Sequence, residues 1–228
     1  MGSSDPAYDT YWKRKQLHLA DPRREFPVRR WWSTDGLCDI EQIYFDAIRN
    51  ASSLLDVGAG DFRVMHKLQK AGFRGEYHTQ DIGEEGTYTY RDLGEVTRPY
   101  GAILCLDVIE HLPLREGLTL LRDAIRLLEP GGAIVVQTPN AAYLPDPLSW
   151  DMTHVHVYNV HDLWAWFTCE GLETQGYRVV SAEPGAGPVV RAKFRVTSYV
   201  KRKILGADFA NNIAVVARRP AAGTGGTR

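Results

Sequence analysis

The chain has 228 residues, of which 44% are hydrophobic and 24% charged, enough to bury a core as one globular domain with a small appended cap. Its 27 basic residues nearly balance 28 acidic ones, for a formal charge of −1. No global field therefore points to nucleic acid or to an anionic membrane. No apolar run approaches the roughly 20 residues that span a bilayer, and no secretory signal is visible. Cys38, Cys105 and Cys169 are few, odd in number and far apart, which is no metal or redox pattern and leaves a reducing cytoplasm as the expected compartment.

In chain order, residues 2–5 read as loose. Residues 8–35 are dense in aromatics and arginines, including Tyr8, Tyr11, Trp12, Phe26, Trp31 and Trp32. Ile40, Ile43, Tyr44, Ala47 and Ile48 follow at helical spacing. Then comes Leu54-Leu55-Asp56-Val57-Gly58-Ala59-Gly60, an apolar strand feeding a turn with two glycines. Glycine lacks a Cβ, so such a turn is sharp and lets a ligand approach the backbone. A helix over 62–71 follows, and 76–82 read as a second strand ending near Asp81, 25 positions after Asp56. An acid at that place in a nucleotide-binding α/β unit accepts the ribose hydroxyls. Asp61 and Phe62 stand where a dinucleotide-binding turn would carry its last glycine and receive a pyrophosphate. A carboxylate there repels phosphate and disfavours a nicotinamide-dependent oxidoreductase. A cationic adenosine ligand without phosphate, such as S-adenosylmethionine, fits better.

Further on, 100–106 form a short apolar strand. Leu114, Leu118, Leu121, Ala124, Ile125 and Leu128 recur at three- and four-residue steps, the pattern of a helix covering a sheet. Pro130-Gly131-Gly132 stops it before the apolar run 133–136, as expected for a strand covered on both faces. Residues 193–203 form a second basic and apolar stretch, 211–217 a last, antiparallel strand, and 221–228 a tail expected to be disordered.

The stretch 54–176 resembles a class I S-adenosylmethionine-dependent methyltransferase, of the group that includes ubiquinone-biosynthesis, natural-product and glycan methyltransferases. Asp56-Val57-Gly58-Ala59-Gly60 matches the first motif, except that Phe62 replaces a common third glycine. Asp81 matches the ribose acid, Asp92-Leu93 the pair near the adenine, Leu104-Cys105-Leu106-Asp107-Val108-Ile109-Glu110-His111-Leu112 the next strand motif, and Leu128-Glu129-Pro130-Gly131-Gly132 the turn into the strand after it. The resemblance implies a doubly wound, seven-stranded, mostly parallel sheet with an N-terminal helical cap: cap 1–50, cofactor-binding domain 51–220, tail 221–228. It implies that Gly58 and Gly60 approach the cofactor closely. Asp56 would act through the loop on its amino-acid part, Asp81 and Ile82 lie at the ribose, Asp92 and Leu93 at the adenine, and Leu106 and Asp107 beside the methionine portion. In such enzymes the N-terminal segment shapes the acceptor pocket, and here its arginines could meet an acidic acceptor.

The expected reaction is methyl transfer from S-adenosylmethionine to a small-molecule or sugar acceptor, most simply at oxygen; a binding module without catalysis is the alternative. A hydroxyl acceptor must lose a proton. The segment after 133–137 carries His154, His156 and His161, three of the seven histidines of the chain, on a long loop at the edge where ligands bind. An imidazole near neutrality suits a base. His161-Asp162 reads as a helix start. His154 and His156, read as alternating along an extended chain, would point the same way, with His111 a third candidate. A likeness to small-RNA 2′-O-methyltransferases, where acids and histidines hold a divalent metal, marks Glu110, His111 and His156, with Asp107 beside them, as possible ligands, although no basic stripe supports an RNA acceptor.

Overall fold

The computed structural model describes residues 5–83, 86–144, 146–181 and 208–221, with isolated positions between 189 and 204. Most of the expected element over 193–203 and most of the expected tail, 222–228, lie outside the described residues, as do residues 2–4. Seven strands, β1 (Val28–Trp31), β2 (Ser53–Val57), β3 (Glu76–Gln80), β4 (Tyr100–Leu106), β5 (Leu128–Pro139), β6 (Glu173–Ser181) and β7 (Asn212–Arg218), form one sheet in the order β1-β6-β7-β5-β4-β2-β3. β7 is antiparallel to β5 and β6, and every other pairing is parallel.

Alternate residues of these strands feed two cores. Leu55, Val57, Ile103, Cys105, Ile134 and Val136 face α4 (Leu114–Arg126) and α5 (Val160–Cys169), while Leu54, Ala102, Leu104 and Val135 face α2 (Asp39–Ile48) and α3 (Arg63–Lys70). Both sheet faces are thus dry, which explains why β4 and the run 133–136 of β5 read as unbroken apolar runs. Asn159 caps α5, its side chain accepting the Asp162 N–H, and Leu163, Trp164, Trp166 and Phe167 are buried as their spacing requires. β5 begins five residues earlier than the run 133–136 suggested, because Leu128 already pairs with Tyr100 before the register shifts and Gly131 turns at φ +81°.

The N-terminal segment is divided between two places. α1 (Tyr11–Ala20) packs on α5, with His18 stacked on His161 at 4.3 Å and the Trp166 indole N–H donating to Pro6 O at 3.3 Å. β1 joins the sheet as its seventh strand, beside β6. The chain then reaches the ligand edge through residues 31–37. From β2 the chain winds outward to β3, and from β4 it winds the other way to β5. The crevice between the ends of β2 and β4 is therefore the topological switch point, where open α/β sheets bind ligands.

Candidate active site

A cavity of about 970 Å³ opens at that switch point, at the upper end of the usual range for ligand sites. Gly58 sits at φ +74°, and a Cβ there would stand 2.3 Å from Val108 Cγ2, so glycine is demanded by both backbone and neighbour. Gly60, at φ +50°, donates its N–H to Asp81 Oδ2 at 2.8 Å, and Gly83 N–H donates to Asp81 Oδ1 at 2.7 Å. Asp81 is thereby fixed on the cavity wall as a carboxylate acceptor. Phe62, where the third glycine was missing, takes the left-handed conformation itself at φ +63°, its ring packed on Tyr88 with centroids 5.2 Å apart. Asp56 lies under the turn, accepting the Tyr77 hydroxyl at 2.7 Å. Burial pushes its carboxyl up to about 7 against that hydrogen bond.

Asp107 is also left-handed, at φ +56°. The Tyr44 hydroxyl donates to Gln137 Oε1 at 2.7 Å, and the Gln137 amide donates to both Asp107 carboxylate oxygens at 3.2 and 3.1 Å. This relay from α2 through β5 aims the acid at the cavity, where burial raises its pKa. Sequence reasoning missed it, although a glutamine closing the run Ala133-Ile134-Val135-Val136-Gln137 was a visible signal: a polar side chain at a buried strand position needs partners. Asp92 and Leu93, expected at the adenine, lie off the cavity. Asp92 caps a short 3₁₀ turn by accepting Gly94 N–H at 2.6 Å, and Leu93 packs on the core. Ile82 and Leu106 line the cavity, Ile82 at its exposed mouth.

The histidines are sorted differently from the expectation. His111 and His154 line the cavity, whereas His156 is off it, its ring edge-on to Tyr158 at 4.7 Å, with its pKa lowered by burial. The loop is not extended there. His154 N–H donates to Asp151 O, and the N–H groups of Val155 and His156 both donate to Glu110 O, at 2.9 and 3.1 Å. The backbone curls around that carbonyl, so residues two apart no longer share a face. Glu110 is 1% exposed and accepts the Thr138 hydroxyl at 2.9 Å. Burial, and then the charge of Asp107, push its carboxyl up to about 8.

Hydrogen bonds assign the ring nitrogens of both cavity histidines. His154 Nδ1 lies 2.9 Å from Pro147 O; a carbonyl only accepts, so Nδ1 carries a proton, and in the neutral ring the lone pair is on Nε2. Thr153 Oγ1 donates to Asp151 Oδ1 at 2.6 Å and lies 2.9 Å from His111 Nδ1, so it accepts from that nitrogen, and the neutral His111 ring likewise carries its lone pair on Nε2. The rings stand 5.0 Å apart, 64° from parallel. Trp31 and Ser33 from the segment after β1, Trp150 from the histidine loop, and Ser181 and Asn211 at the β6–β7 edge complete the wall.

A family model described as a methyltransferase domain matches residues 28–181. No curated protein matches the chain by sequence. Among solved structures, a SAM-dependent methyltransferase from Archaeoglobus fulgidus is 15% identical with a TM-score of 0.57, the match covering 95% of this chain and all of that one. Magnesium protoporphyrin IX methyltransferase from Synechocystis PCC 6803, with bound SAH, is 14% identical with a TM-score of 0.51, covering 79% of each chain. The cyclase SpnF is 13% identical with a TM-score of 0.56, covering 96% of each. At such identities the likeness is one of fold, and the cyclase marks how far reactions diverge upon it.

Proposed function

Because the chain belongs to the methyltransferase family whose domain spans residues 28–181, we propose that it moves a methyl group from S-adenosylmethionine to a hydroxyl of a small, polar acceptor such as a sugar. The observation that carries the proposal is the meeting, in one cavity, of the glycine turn and Asp81 with two histidines whose neutral tautomer puts the lone pair on Nε2. Gly58 and Gly60 take the cofactor backbone-close, Asp81 accepts from the ribose hydroxyls, and Ile82 and Leu106 flank the nucleoside. Asp107, held by Gln137, faces the cationic end of the cofactor, and Asp56, beneath the turn, acts on it through the loop. Asp92 and Leu93 are given no part.

The acceptor lies toward Trp31, Trp150, Ser181 and Asn211, where aromatic faces and hydrogen-bonding groups suit a polyhydroxylated molecule. An acceptor oxygen gives up its proton at the histidine pair and attacks the methyl carbon. The carbon–sulfur bond breaks with its electron pair returning to sulfur, and S-adenosylhomocysteine leaves. Alignment of the two reactants lowers most of the barrier. Cys38, Cys105 and Cys169 are free thiols, which supports a reducing cytoplasm, and no helix among the described residues is long and apolar enough to cross a membrane.

Calorimetric titration with S-adenosylmethionine and S-adenosylhomocysteine tests the cofactor; absence of binding to either overturns the proposal. With an acceptor in hand, His154→Ala keeps cofactor affinity and loses about 10²-fold in turnover, whereas His156→Ala leaves turnover unchanged. The reverse ranking would return the chemistry to His156.

A further inference from the structure

We infer that Glu110, His111 and His154 hold one divalent first-row transition ion, of the zinc, iron(II) or manganese class, at the acceptor end of the cavity. One ligand atom from each lies within 4.8 Å of the others. Bonds of about 2.1 Å in a tetrahedral shell put ligand atoms roughly 3.4 Å apart, so from within 4.8 Å the three close in by about 1.4 Å at most, a side-chain rotation.

The case rests on what surrounds the three, not on their proximity alone. In built metal sites, the atom of each ligand that does not touch the ion is held by a hydrogen bond, which fixes tautomer and aim. Here all three are held. His154 Nδ1–H is donated to Pro147 O, His111 Nδ1–H to Thr153 Oγ1, which passes a hydrogen bond on to Asp151, and Glu110 Oε2 accepts from Thr138. In the neutral tautomer both rings thus present an Nε2 lone pair, the form in which imidazole binds a metal. The main chain locks the set together: Val155 and His156 N–H groups on Glu110 O tie the loop bearing His154 to the turn bearing Glu110 and His111. His156 sits against Tyr158, outside the set. Two imidazoles and one carboxylate favour zinc, iron(II) or manganese over magnesium or calcium, which prefer oxygen donors. Three protein ligands leave positions open toward the cavity, as in catalytic rather than structural sites.

What the ion does rests on the methyl-transfer proposal above; that it binds does not. An acceptor hydroxyl taking an open position is made more acidic by the ion. Its proton leaves to water through the cavity mouth, the oxygen attacks the methyl carbon, and the carbon–sulfur electron pair stays on sulfur. The ion then replaces a free imidazole as the agent of proton loss. His154→Ala lowers turnover under either mechanism, so the ion itself must be measured.

The chain is stripped with a chelator, dialysed, and titrated with Zn²⁺ by calorimetry and with Co²⁺ by visible absorption. One ion per chain is expected, weakened at least tenfold by His111→Ala and by His154→Ala and unchanged by His156→Ala and by His161→Ala. S-adenosylhomocysteine binding, measured in the same samples, shows that each variant is folded, and His111→Ala reads the site should His154→Ala not fold. No ion bound by the wild type, or binding that survives both substitutions or is lost with His161, overturns the inference. Cofactor binding without ion binding defeats this inference alone, and ion binding without cofactor binding defeats only the methyl-transfer proposal.

Discussion

At the scale of single residues, the cavity depends on positions where the backbone leaves little choice. Gly58→Ala adds a Cβ at φ +74° and 2.3 Å from Val108 Cγ2. The left-handed conformation costs a non-glycine residue about 1–3 kcal/mol and overpacking adds about 1–3 kcal/mol. Urea unfolding should show a loss in that combined range, and adding Val108→Ala should return the overpacking part while the conformational part stays. Gln137→Leu strands the buried Tyr44 hydroxyl, which donates to Gln137 Oε1, at a cost of about 1–3 kcal/mol; Tyr44→Phe alone costs about 1 kcal/mol. The double variant should lose less than the sum of the two, and strict additivity in unfolding midpoints would deny the relay. These residues differed in how visible they were. Gly58, Gly60 and Asp81 announced themselves by type and spacing. Phe62 did not, since an aromatic at φ +63° is the reverse of what conformational preference suggests; its ring packs on Tyr88. Tyr44 read as one more apolar position on α2, because a sequence does not say where a buried hydroxyl finds its acceptor.

At the scale of elements, the strands and helices of the cofactor half were legible because both sheet faces are covered and periodicity reports burial directly. The loop after β5 was not. Its histidines were assigned by the two-residue rule of extended chain, and the fold replaces that rule with a curl around Glu110 O, a contact between segments more than forty residues apart. The segment 8–35 was legible as an aromatic and arginine-rich cap, but neither α1 at Tyr11–Ala20 nor the place where it docks was read from it. The seam of α1 with α5 carries a testable acid sensitivity. His161 is stacked on His18 and edge-on to Phe26, with Trp164 nearby, and Arg14, Arg24, Asp21 and Asp162 are the charged groups around it. Burial lowers its pKa, and the charge of His18 adds to this. A histidine whose folded pKa is depressed contributes stability present above about pH 6.5 and lost as pH falls through its folded value. The melting temperature should fall on that acid side, and His161→Phe should flatten the fall. An unchanged slope in that variant would place the acid sensitivity elsewhere.

At the scale of the whole molecule, a second titration runs the opposite way. Asp56 has its carboxyl raised from 3.8 to about 7, mainly by burial, so the folded state keeps a proton that the unfolded chain has already released. Its contribution is complete below about pH 4 and is lost as pH rises through about 7, a few kcal/mol at most. Asp56→Asn should remove that decline without touching the acid-side fall set by His161, and melting curves across pH 4–8 separate the two. The doubly wound sheet followed from the sequence because strand and helix alternate along the chain. The source of the seventh strand did not, since residues 28–31 are four long and include two arginines and a tryptophan. That strand has a consequence for how the protein is made. Val28 pairs with Arg178, and Trp31 with Ser181, so a segment near the start of the chain waits for a partner translated 150 positions later. At roughly 5–20 residues per second the wait is on the order of 8–30 seconds. Through that interval the wall of the cavity that includes Trp31 has no edge to hang from, and because β6 reaches the rest of the sheet only through β7, the pocket is not finished for its cofactor until β7 has been made.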